Sequence, residues 1–282
     1  MFAKAKKGIV LLQSDPRLLL RRVLTEARSL FWSPRQSIRK NIGGASFEFD
    51  FTFDPSIKLM YEGIYEVDIV NTMKEYLRAG DTFIDVGANI GYLSAVAMGL
   101  VGPGGQVHSF EPVPEYCSRL RRLIPLNPGH RISINQSAAG ESNASASIDV
   151  TGLPNIGWNT LVPGMMRRET VRQSIEVPVL RLDEYIRGSG LDRVAMIKID
   201  TEGYEFPVLK GLSRYLQDPD HRPVFVVEIA PSAYPLLGVS LHELSAYMGE
   251  FGYRVFDIHH RARHVDLTSL HETTNVLIRA GQ

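Results

Sequence analysis

Three carboxylates stand within six residues in the segment IDTEGYE, namely Asp200, Glu202 and Glu205. They repel one another unless cations or hydrogen bonds compensate, and uncompensated clusters of this kind are typical of functional sites. A carboxylate can accept the proton that a hydroxyl group loses when its oxygen acts as a nucleophile. Helix capping by Asp200 or Thr201 is the structural alternative for this segment.

A second group of candidate functional residues follows the apolar stretch TFIDV, where Asp85 leads into the turn GANIG. A dinucleotide fingerprint, G-x-G-x-x-G, needs glycines where Asn89 and Tyr92 stand after Gly87, and the chain has no Gly-Lys-Ser/Thr of a P-loop. The pattern is instead acidic–x–G–x–N–x–G, which ends at Gly91. The acidic residue comes before the first glycine, where it can face a cationic group rather than a phosphate.

The next strand pattern ends in HSFEP and places Glu111 26 residues after Asp85. A carboxylate at the tip of a second strand can accept two hydrogen bonds from a ribose diol. Together, the glycine turn and Glu111 predict a pocket for adenosine attached to a positively charged group.

The elements that must position these residues alternate between strand and helix. Strands are predicted at 82–86, 106–110, 131–135, 194–199, 223–229, 253–258 and 274–279, and helices at 90–100, 114–124, 205–217 and 240–251. Continuous apolar strands separated by amphipathic helices indicate a parallel sheet covered on both faces. Such sheets bind ligands at the carboxyl ends of their strands, where both acidic motifs then meet. A polar loop joins the last two strands, which favours an antiparallel pair at the sheet edge.

Two regions depart from this alternation. Residues 140–180 read as a strand, a long loop and a strand, and the loop carries GWNTL. Long loops within compact domains are typically functional lids or disordered segments. As a lid, the loop makes Trp158, Asn159 and Thr160 candidates for substrate contact, with core packing as the alternative for Trp158. Residues 41–65, with the alternating SFEFDFTF, predict a small β-element ahead of the main domain.

Four motifs in this order resemble the class I S-adenosylmethionine-dependent methyltransferases, and specifically the FkbM family. They are FIDVGANIGYLS, VHSFEPVPE, NQSAAG and IKIDTEGYEFPVLKG, and the resemblance spans roughly residues 60 to 258. It implies a Rossmann-like, seven-stranded, mostly parallel sheet and S-adenosyl-L-methionine as the cofactor. The methyltransferase domain would occupy residues 66–282 with the insertion at about 140–180, and residues 1–65 would form an N-terminal helical and β extension.

The resemblance also implies roles for individual residues. Asp200 first and Glu202 second would be the catalytic carboxylates, whereas Glu205 would be structural. Glu66 lies in a region where family members often carry an acidic residue, and it joins the insertion residues as a candidate for substrate contact. The cofactor contacts would be made by Asp85, Gly87, Asn89, Gly91, Glu111, Ser137 and Ala138.

The reaction that the resemblance implies is methyl transfer to an oxygen, namely a hydroxyl of a sugar, a glycolipid or a polyketide-type natural product. The residues alone leave a nitrogen acceptor open. An NAD(P)-dependent oxidoreductase would share the sheet and the ribose carboxylate, but the missing second glycine argues against it. Asp200, Glu202 and Glu228 could supply oxygen ligands to a divalent cation, although a metal is not expected.

Composition excludes several function classes. Lys plus Arg equals Asp plus Glu, 31 each, which gives no support for nucleic-acid binding. The single Cys117 rules out an internal disulfide framework, and no signal peptide or membrane span is recognisable, so a cytoplasmic location is expected.

The amphipathic segment RLLLRRVLTEARSLF predicts a helix that packs on the domain or on a second subunit in a homodimer. Contact with a membrane surface, which would suit a lipid-linked acceptor, is the alternative.

Overall fold

The computed structural model describes residues 37–152 and 157–281, together with Leu20, Val23 and Leu24. The strands are β1 Ser37–Ile42, β2 Ala45–Asp50, β3 Thr82–Val86, β4 Gln106–Phe110, β5 Ile132–Asn135, β6 Ala138–Gly140, β7 Ala144–Thr151, β8 Val171–Arg181, β9 Met196–Ile199, β10 Val224–Ile229, β11 Tyr253–Asp257 and β12 Thr274–Ala280. The α-helices are α1 Ser56–Tyr61, α2 Val67–Tyr76, α3 Tyr92–Val101, α4 Pro114–Leu120, α5 Leu123–Leu126, α6 Leu182–Gly188, α7 Glu205–Lys210, α8 Ser213–Leu216 and α9 Leu241–Glu250.

The central layer is a seven-stranded sheet with the order β11-β12-β10-β9-β3-β4-β5. Strands β10, β9, β3, β4 and β5 pair in parallel, and β12 runs antiparallel to both β10 and β11. The predicted Rossmann-like sheet and its antiparallel edge pair are therefore confirmed. All five residues of β3 are buried, as the continuous apolar pattern indicated for a strand covered on both faces.

The strands β1 and β2 form an antiparallel hairpin that packs against α3. The alternation in SFEFDF buries Phe47 and Phe49, and the Phe47 ring meets that of Tyr92 edge-on at 5.9 Å. An ideal Cβ on Gly99 of α3 would lie 2.3 Å from the carbonyl oxygen of Gly43, so only glycine allows this approach. The predicted β-element is present as this hairpin, but the later part of residues 41–65 forms α1 instead of strand. The domain boundary near residue 65 stays a prediction.

The insertion forms a second sheet of three strands with the order β6-β8-β7. The predicted strand, loop and strand correspond to β7 and β8, which pair antiparallel. The short strand β6 adds to β8 in parallel, a pairing that the sequence analysis did not foresee. An isolated bridge between Asp149 and Thr160 folds the connecting loop back onto β7.

No helix in the described part of the chain has the length and apolar character needed to cross a membrane. The N-terminal amphipathic helix predicted after Pro16 lies almost entirely outside the described residues, although Leu20, Val23 and Leu24 are helical and exposed. Its packing, the membrane contact and the homodimer remain predictions.

Candidate active site

The glycine turn after β3 touches the acidic segment after β9 at the carboxyl edge of the sheet. Gly87 has a φ of +75°, and an ideal Cβ there would lie 1.8 Å from the carbonyl oxygen of Asp200. The backbone N–H of Asp200 donates to the carbonyl oxygen of Val86 at 3.1 Å. Glycine is therefore required at position 87, and the two motifs form one continuous surface. We call residues 87–91 the cofactor turn.

Glu111 reaches the cofactor turn from the end of β4. Its carboxylate accepts hydrogen bonds from the backbone N–H groups of Asn89 at 2.8 Å and Val113 at 2.9 Å. Burial raises the pKa of Glu111 to about 7, although both backbone donors oppose this shift. A carboxylate offers about four acceptor positions, so two remain for the diol of a ribose.

The residues predicted beside adenine lie where the chain passes from β5 to β6. Ser137 and Ala138 are both buried. The Ser137 hydroxyl has no hydrogen-bond partner among the described residues, which is uncommon for a buried polar group. An adenine with several nitrogen acceptors and one amino donor would satisfy it, so these residues fit an adenosine cofactor.

Asp85 is completely buried beneath the cofactor turn. Its Oδ2 accepts from the Ser94 hydroxyl at 2.6 Å, and its Oδ1 lies 3.5 Å from the ammonium nitrogen of Lys198. The cationic group that Asp85 faces is therefore Lys198, which the sequence analysis did not single out. The only signal in the sequence is a lysine between two isoleucines in the strand segment IKI.

Lys198 also lies close to the predicted catalytic residue. Its ammonium nitrogen is 3.2 Å from Oδ2 of Asp200 and donates to the carbonyl oxygen of Gly87 at 2.8 Å. Burial alone would lower the pKa of Lys198, but the Asp200 and Asp85 carboxylates outweigh it and raise this pKa above its ordinary value. The group is therefore a fixed positive charge at neutral pH.

Four carboxylates form an acidic rim at this edge of the sheet, namely Glu66, Asp200, Glu202 and Glu228. One oxygen each of Asp200, Glu202 and Glu228 lies within 4.8 Å of the others. Burial raises the pKa of Glu228 well above its ordinary value, and the neighbouring Asp200, Glu202 and Glu66 carboxylates add to the shift. The rim thus concentrates acidic groups close to the cofactor turn, and this concentration favours the protonated form of Glu228.

The backbone is strained at three of the predicted site residues. Within residues 37–152 and 157–281, the residues other than glycine with a positive φ are Glu66 at 46°, Asn89 at 52° and Glu202 at 50°. Such conformations cost of order 1–3 kcal/mol each and cluster at functional sites. Their coincidence with the predicted residues independently supports this edge as the active site.

The carboxylates of the rim suit a hard divalent cation, because Mg²⁺ and Ca²⁺ prefer oxygen ligands. Lys198, however, already supplies a positive charge 3.2 Å from Asp200. Asp200, Glu202 and Glu228 are the residues that would hold a metal, although the sequence gives no expectation of one.

Glu205, the first residue of α7, is fully buried and supports the turn that precedes it. It accepts hydrogen bonds from the backbone N–H of Gly203 at 2.6 Å and from the Thr201 hydroxyl at 3.3 Å. Burial raises its pKa to about 7. The capping alternative for the acidic segment is wrong, because the N-cap of α7 is Tyr204 and no side chain caps the helix.

The loop of the insertion passes from the cofactor turn to the acidic rim. An ideal Cβ on Gly157 would lie 3.9 Å from the side-chain nitrogen of Asn89, and the Thr160 hydroxyl donates to the carbonyl oxygen of Glu202 at 2.7 Å. The Asn159 side chain accepts from the backbone N–H of Thr151 at 3.0 Å and also hydrogen-bonds Tyr116. We call residues 157–160 the strap.

Within the strap, the three predicted substrate residues differ in exposure. Trp158 is 54% exposed, so core packing, the alternative for it, is wrong. Thr160 is buried and its hydroxyl is used by Glu202, which makes it a support of the rim rather than a surface contact. Asn159 is partly buried and anchored on both sides of the loop.

The chain is similar to several known methyltransferases. Methyltransferase sdnD of Sordaria araneosa is 30% identical over a region covering 46% of this chain and 59% of that protein. Hexuronic acid methyltransferase AglP of Haloferax volcanii is 26% identical, covering 54% and 58%. The 31-O-demethyl-FK506 methyltransferase FkbM of Streptomyces tacrolimicus is 29% identical, covering 48% and 61%. The chain spans about three-fifths of the length of these relatives.

The sequence profile described as the methyltransferase FkbM domain matches residues 85–255, more than half of the 282 residues, from the aspartate before the cofactor turn into β11. The match covers the cofactor turn, Glu111, the strap and most of the acidic rim. The chain belongs to the FkbM methyltransferase family.

Proposed function

We propose that this protein is an S-adenosyl-L-methionine-dependent O-methyltransferase that acts on a hydroxyl of a sugar, a glycolipid or a polyketide-type natural product. One observation carries the proposal: Glu111, fixed by the backbone of the cofactor turn, and Asp200, in contact with Gly87, lie on the same sheet edge. A ribose-binding carboxylate beside a proton-accepting carboxylate is what methyl transfer to a hydroxyl needs.

Different residues of the site would contact the ribose, the adenine and the methionine part of the cofactor. Glu111 would hold the two ribose hydroxyls, because two of its acceptor positions are used by backbone donors and two remain. Ser137 and Ala138 would lie along the adenine, where the unpaired Ser137 hydroxyl gains a partner. The backbone of Gly87, Asn89 and Gly91 would follow the ribose and methionine part, with Asp85 acting from beneath through Lys198.

When bound, S-adenosyl-L-methionine supplies a methyl group on a sulfonium: the acceptor oxygen bonds to the methyl carbon, and the carbon–sulfur electron pair goes to sulfur. Asp200 accepts the proton that the acceptor hydroxyl loses. Glu202, with an oxygen within 4.8 Å of one of Asp200, would orient the same hydroxyl. Trp158 would cover the acceptor, since its exposed ring stands on a strap held in place by Asn159 and Thr160.

The acceptor class rests on the relatives. One is a hexuronic acid methyltransferase and another is a 31-O-demethyl-FK506 methyltransferase. The first name gives a sugar acid as acceptor and the second a 31-O-demethyl compound, and both favour an oxygen acceptor over a nitrogen acceptor. Asn89, in the place of the second glycine of a dinucleotide fingerprint, argues against a nicotinamide cofactor.

The proposal is tested by incubating the protein with radiolabelled S-adenosyl-L-methionine and a panel of sugars, glycolipids and polyketides. We expect methylation of at least one hydroxyl, and a loss of about 10²–10⁴-fold in turnover for Asp200→Asn. Asp220→Asn, an exposed aspartate remote from the site, is the matched control and should keep full activity. Methyl transfer to an amine alone, or equal turnover by both variants, would refute the assignment.

A further inference from the structure

Lys198 is a buried cation that the methyl-transfer chemistry described above does not use. It lies on β9, in the middle of the sheet, and its residue is 3% exposed. In the register of the two strands, Lys198 is the Cα partner of Asp85 on β3. A lone ammonium at such a position is costly unless several partners compensate its charge.

Three partners surround the ammonium, and they belong to different parts of the site. The carbonyl oxygen of Gly87 is in the cofactor turn at 2.8 Å, and Oδ2 of Asp200 is in the acidic rim at 3.2 Å. Oδ1 of Asp85 lies beneath both at 3.5 Å. The Ser94 hydroxyl of α3 fixes the other oxygen of Asp85 at 2.6 Å. One side chain therefore contacts both parts of the site and the core below them.

Main-chain contacts also link the cofactor turn to the acidic rim, so the two cannot move independently. Gly87 is in contact with the carbonyl group of Asp200, and the N–H of Asp200 is bonded to Val86. A shift of the ammonium would move the Gly87 carbonyl and the Asp200 carboxylate together. A purely structural ion pair would need only Asp85, whereas this lysine divides its contacts between the turn and the rim.

We propose that Lys198 is a positioning residue that holds the cofactor turn and the Asp200 carboxylate in one arrangement, so that cofactor binding and the orientation of Asp200 depend on the same ammonium group. This inference rests on the proposed function. It assigns Lys198 no contact with the reacting atoms, because its three partners are all groups of the protein.

The test separates positioning from stability by removing the charge in two ways. Lys198→Met leaves the buried Asp85 carboxylate unpaired and should strongly destabilise the fold. The double variant Asp85→Asn/Lys198→Met buries neither charge, and Asn can still accept from Ser94, so its thermal unfolding midpoint should recover towards that of the wild type. Leu244→Ala, in the core beneath α9 and outside the site, calibrates how a loss of stability alone affects binding.

Binding of S-adenosylhomocysteine is measured by calorimetry on all variants. We expect the double variant to bind about tenfold or more weakly than the wild type despite its recovered stability, and Leu244→Ala to bind normally below its unfolding midpoint. A double variant that binds like the wild type would show that Lys198 only stabilises the fold and would overturn the inference. Absence of binding by the wild type would instead refute the proposed function, on which the inference depends.

A second measurement tests the link to Asp200. Asp200→Asn should weaken S-adenosylhomocysteine binding about threefold in the wild-type background and leave it unchanged in the double-variant background, because the ammonium that joins the two parts is already absent. Equal effects in both backgrounds would mean that Asp200 and the cofactor turn are not coupled through Lys198.

Discussion

Glu111 combines burial with two backbone hydrogen-bond donors, and this combination makes its ionisation sensitive to its surroundings. Burial disfavours the charged form and raises the pKa to about 7, although the hydrogen bonds from the Val113 and Asn89 N–H groups lower this pKa. A ribose diol would add two further donors to the ionised form and would lower this pKa again. Cofactor binding should therefore release a proton near neutral pH.

The affinity for S-adenosylhomocysteine is expected to rise with pH. Below a pKa of about 7 the free protein carries a protonated Glu111, which must lose its proton before it accepts both ribose hydroxyls. The association constant should increase about tenfold from pH 6 to pH 8 and then level off. Calorimetry across this range checks the slope, and Glu111→Gln should bind weakly with no such dependence. A flat profile for the wild type would contradict the role given to Glu111.

At the scale of single residues, motifs in the sequence predicted the positions that the strand ends bring together. Gly87, Glu111 and Asp200 meet because each directly follows or ends a parallel strand, a rule that holds without knowing any side-chain contact. Lys198 was missed because its partner depends on the register of β9 against β3, which one strand pattern does not contain. For the same reason, Asp85 was expected to face a ligand cation although it faces this lysine.

The strap is the element that connects the insertion to the acidic rim. Thr160 pairs with Asp149 of β7 through its backbone, accepts from the N–H of Val162 and donates to Glu202. These hydrogen bonds hold the loop of the insertion beside the active site. They also help to hold Glu202 in a left-handed conformation that is unfavourable for glutamate.

Thr160→Val should destabilise the fold by about 1–3 kcal/mol, because it keeps the shape but leaves the Glu202 carbonyl and the Val162 N–H without their partner. Urea denaturation measures the change. The matched control is Thr170→Val, whose hydroxyl donates to the Arg167 carbonyl at an exposed position and should cost no more than about 0.5 kcal/mol. Equal urea midpoints for the two variants would mean that the hydrogen bonds of Thr160 to the rim do not stabilise the fold.

Among the elements, the sheet strands were predicted within about two residues, because continuous apolar stretches and strand-ending motifs delimit them. The helices predicted at 114–124 and 205–217 each divide in the structure, at Arg121 and at Gly211. The pairing of β6 with β8 could not be predicted, because residues 138–140 are a short stretch, AAG, without a strand pattern. Long-range pairing of so short a strand is decided by the tertiary context.

At the scale of the whole molecule, the numbers of acidic and basic residues are equal, but acidic residues are concentrated at the proposed acceptor site. The chain carries 31 basic and 31 acidic residues, yet the acidic rim gathers four carboxylates around the proposed acceptor site. Lys198 is the cation closest to them in the contacts above, and it is already paired with Asp85 and Asp200. The proposed acceptor site therefore holds more acidic than basic groups, and we expect it to select among acceptors by charge.

Although one relative is a hexuronic acid methyltransferase, the acidic rim of this chain should favour neutral acceptors over carboxylated ones. The sugar identified in the acceptor screen is compared with its counterpart in which a hydroxymethyl group is replaced by a carboxylate. Since a unit charge at 4 Å contributes about 1–4 kcal/mol near a protein surface, we expect kcat/KM to favour the neutral sugar about tenfold or more. Glu66→Gln should narrow this ratio. Equal or better turnover of the sugar acid would contradict the charge argument.

The most direct test of the account is calorimetric binding of S-adenosylhomocysteine, NAD and NADP to the wild type, to Glu111→Ala and to Glu115→Ala. Glu115 is an exposed carboxylate four residues further on and is the matched control. We expect the wild type to bind S-adenosylhomocysteine with micromolar affinity and to bind neither NAD nor NADP. This binding should be retained in Glu115→Ala and lost in Glu111→Ala. No binding of S-adenosylhomocysteine to the wild type, or tight binding of a nicotinamide cofactor, would contradict the proposed methyltransferase activity.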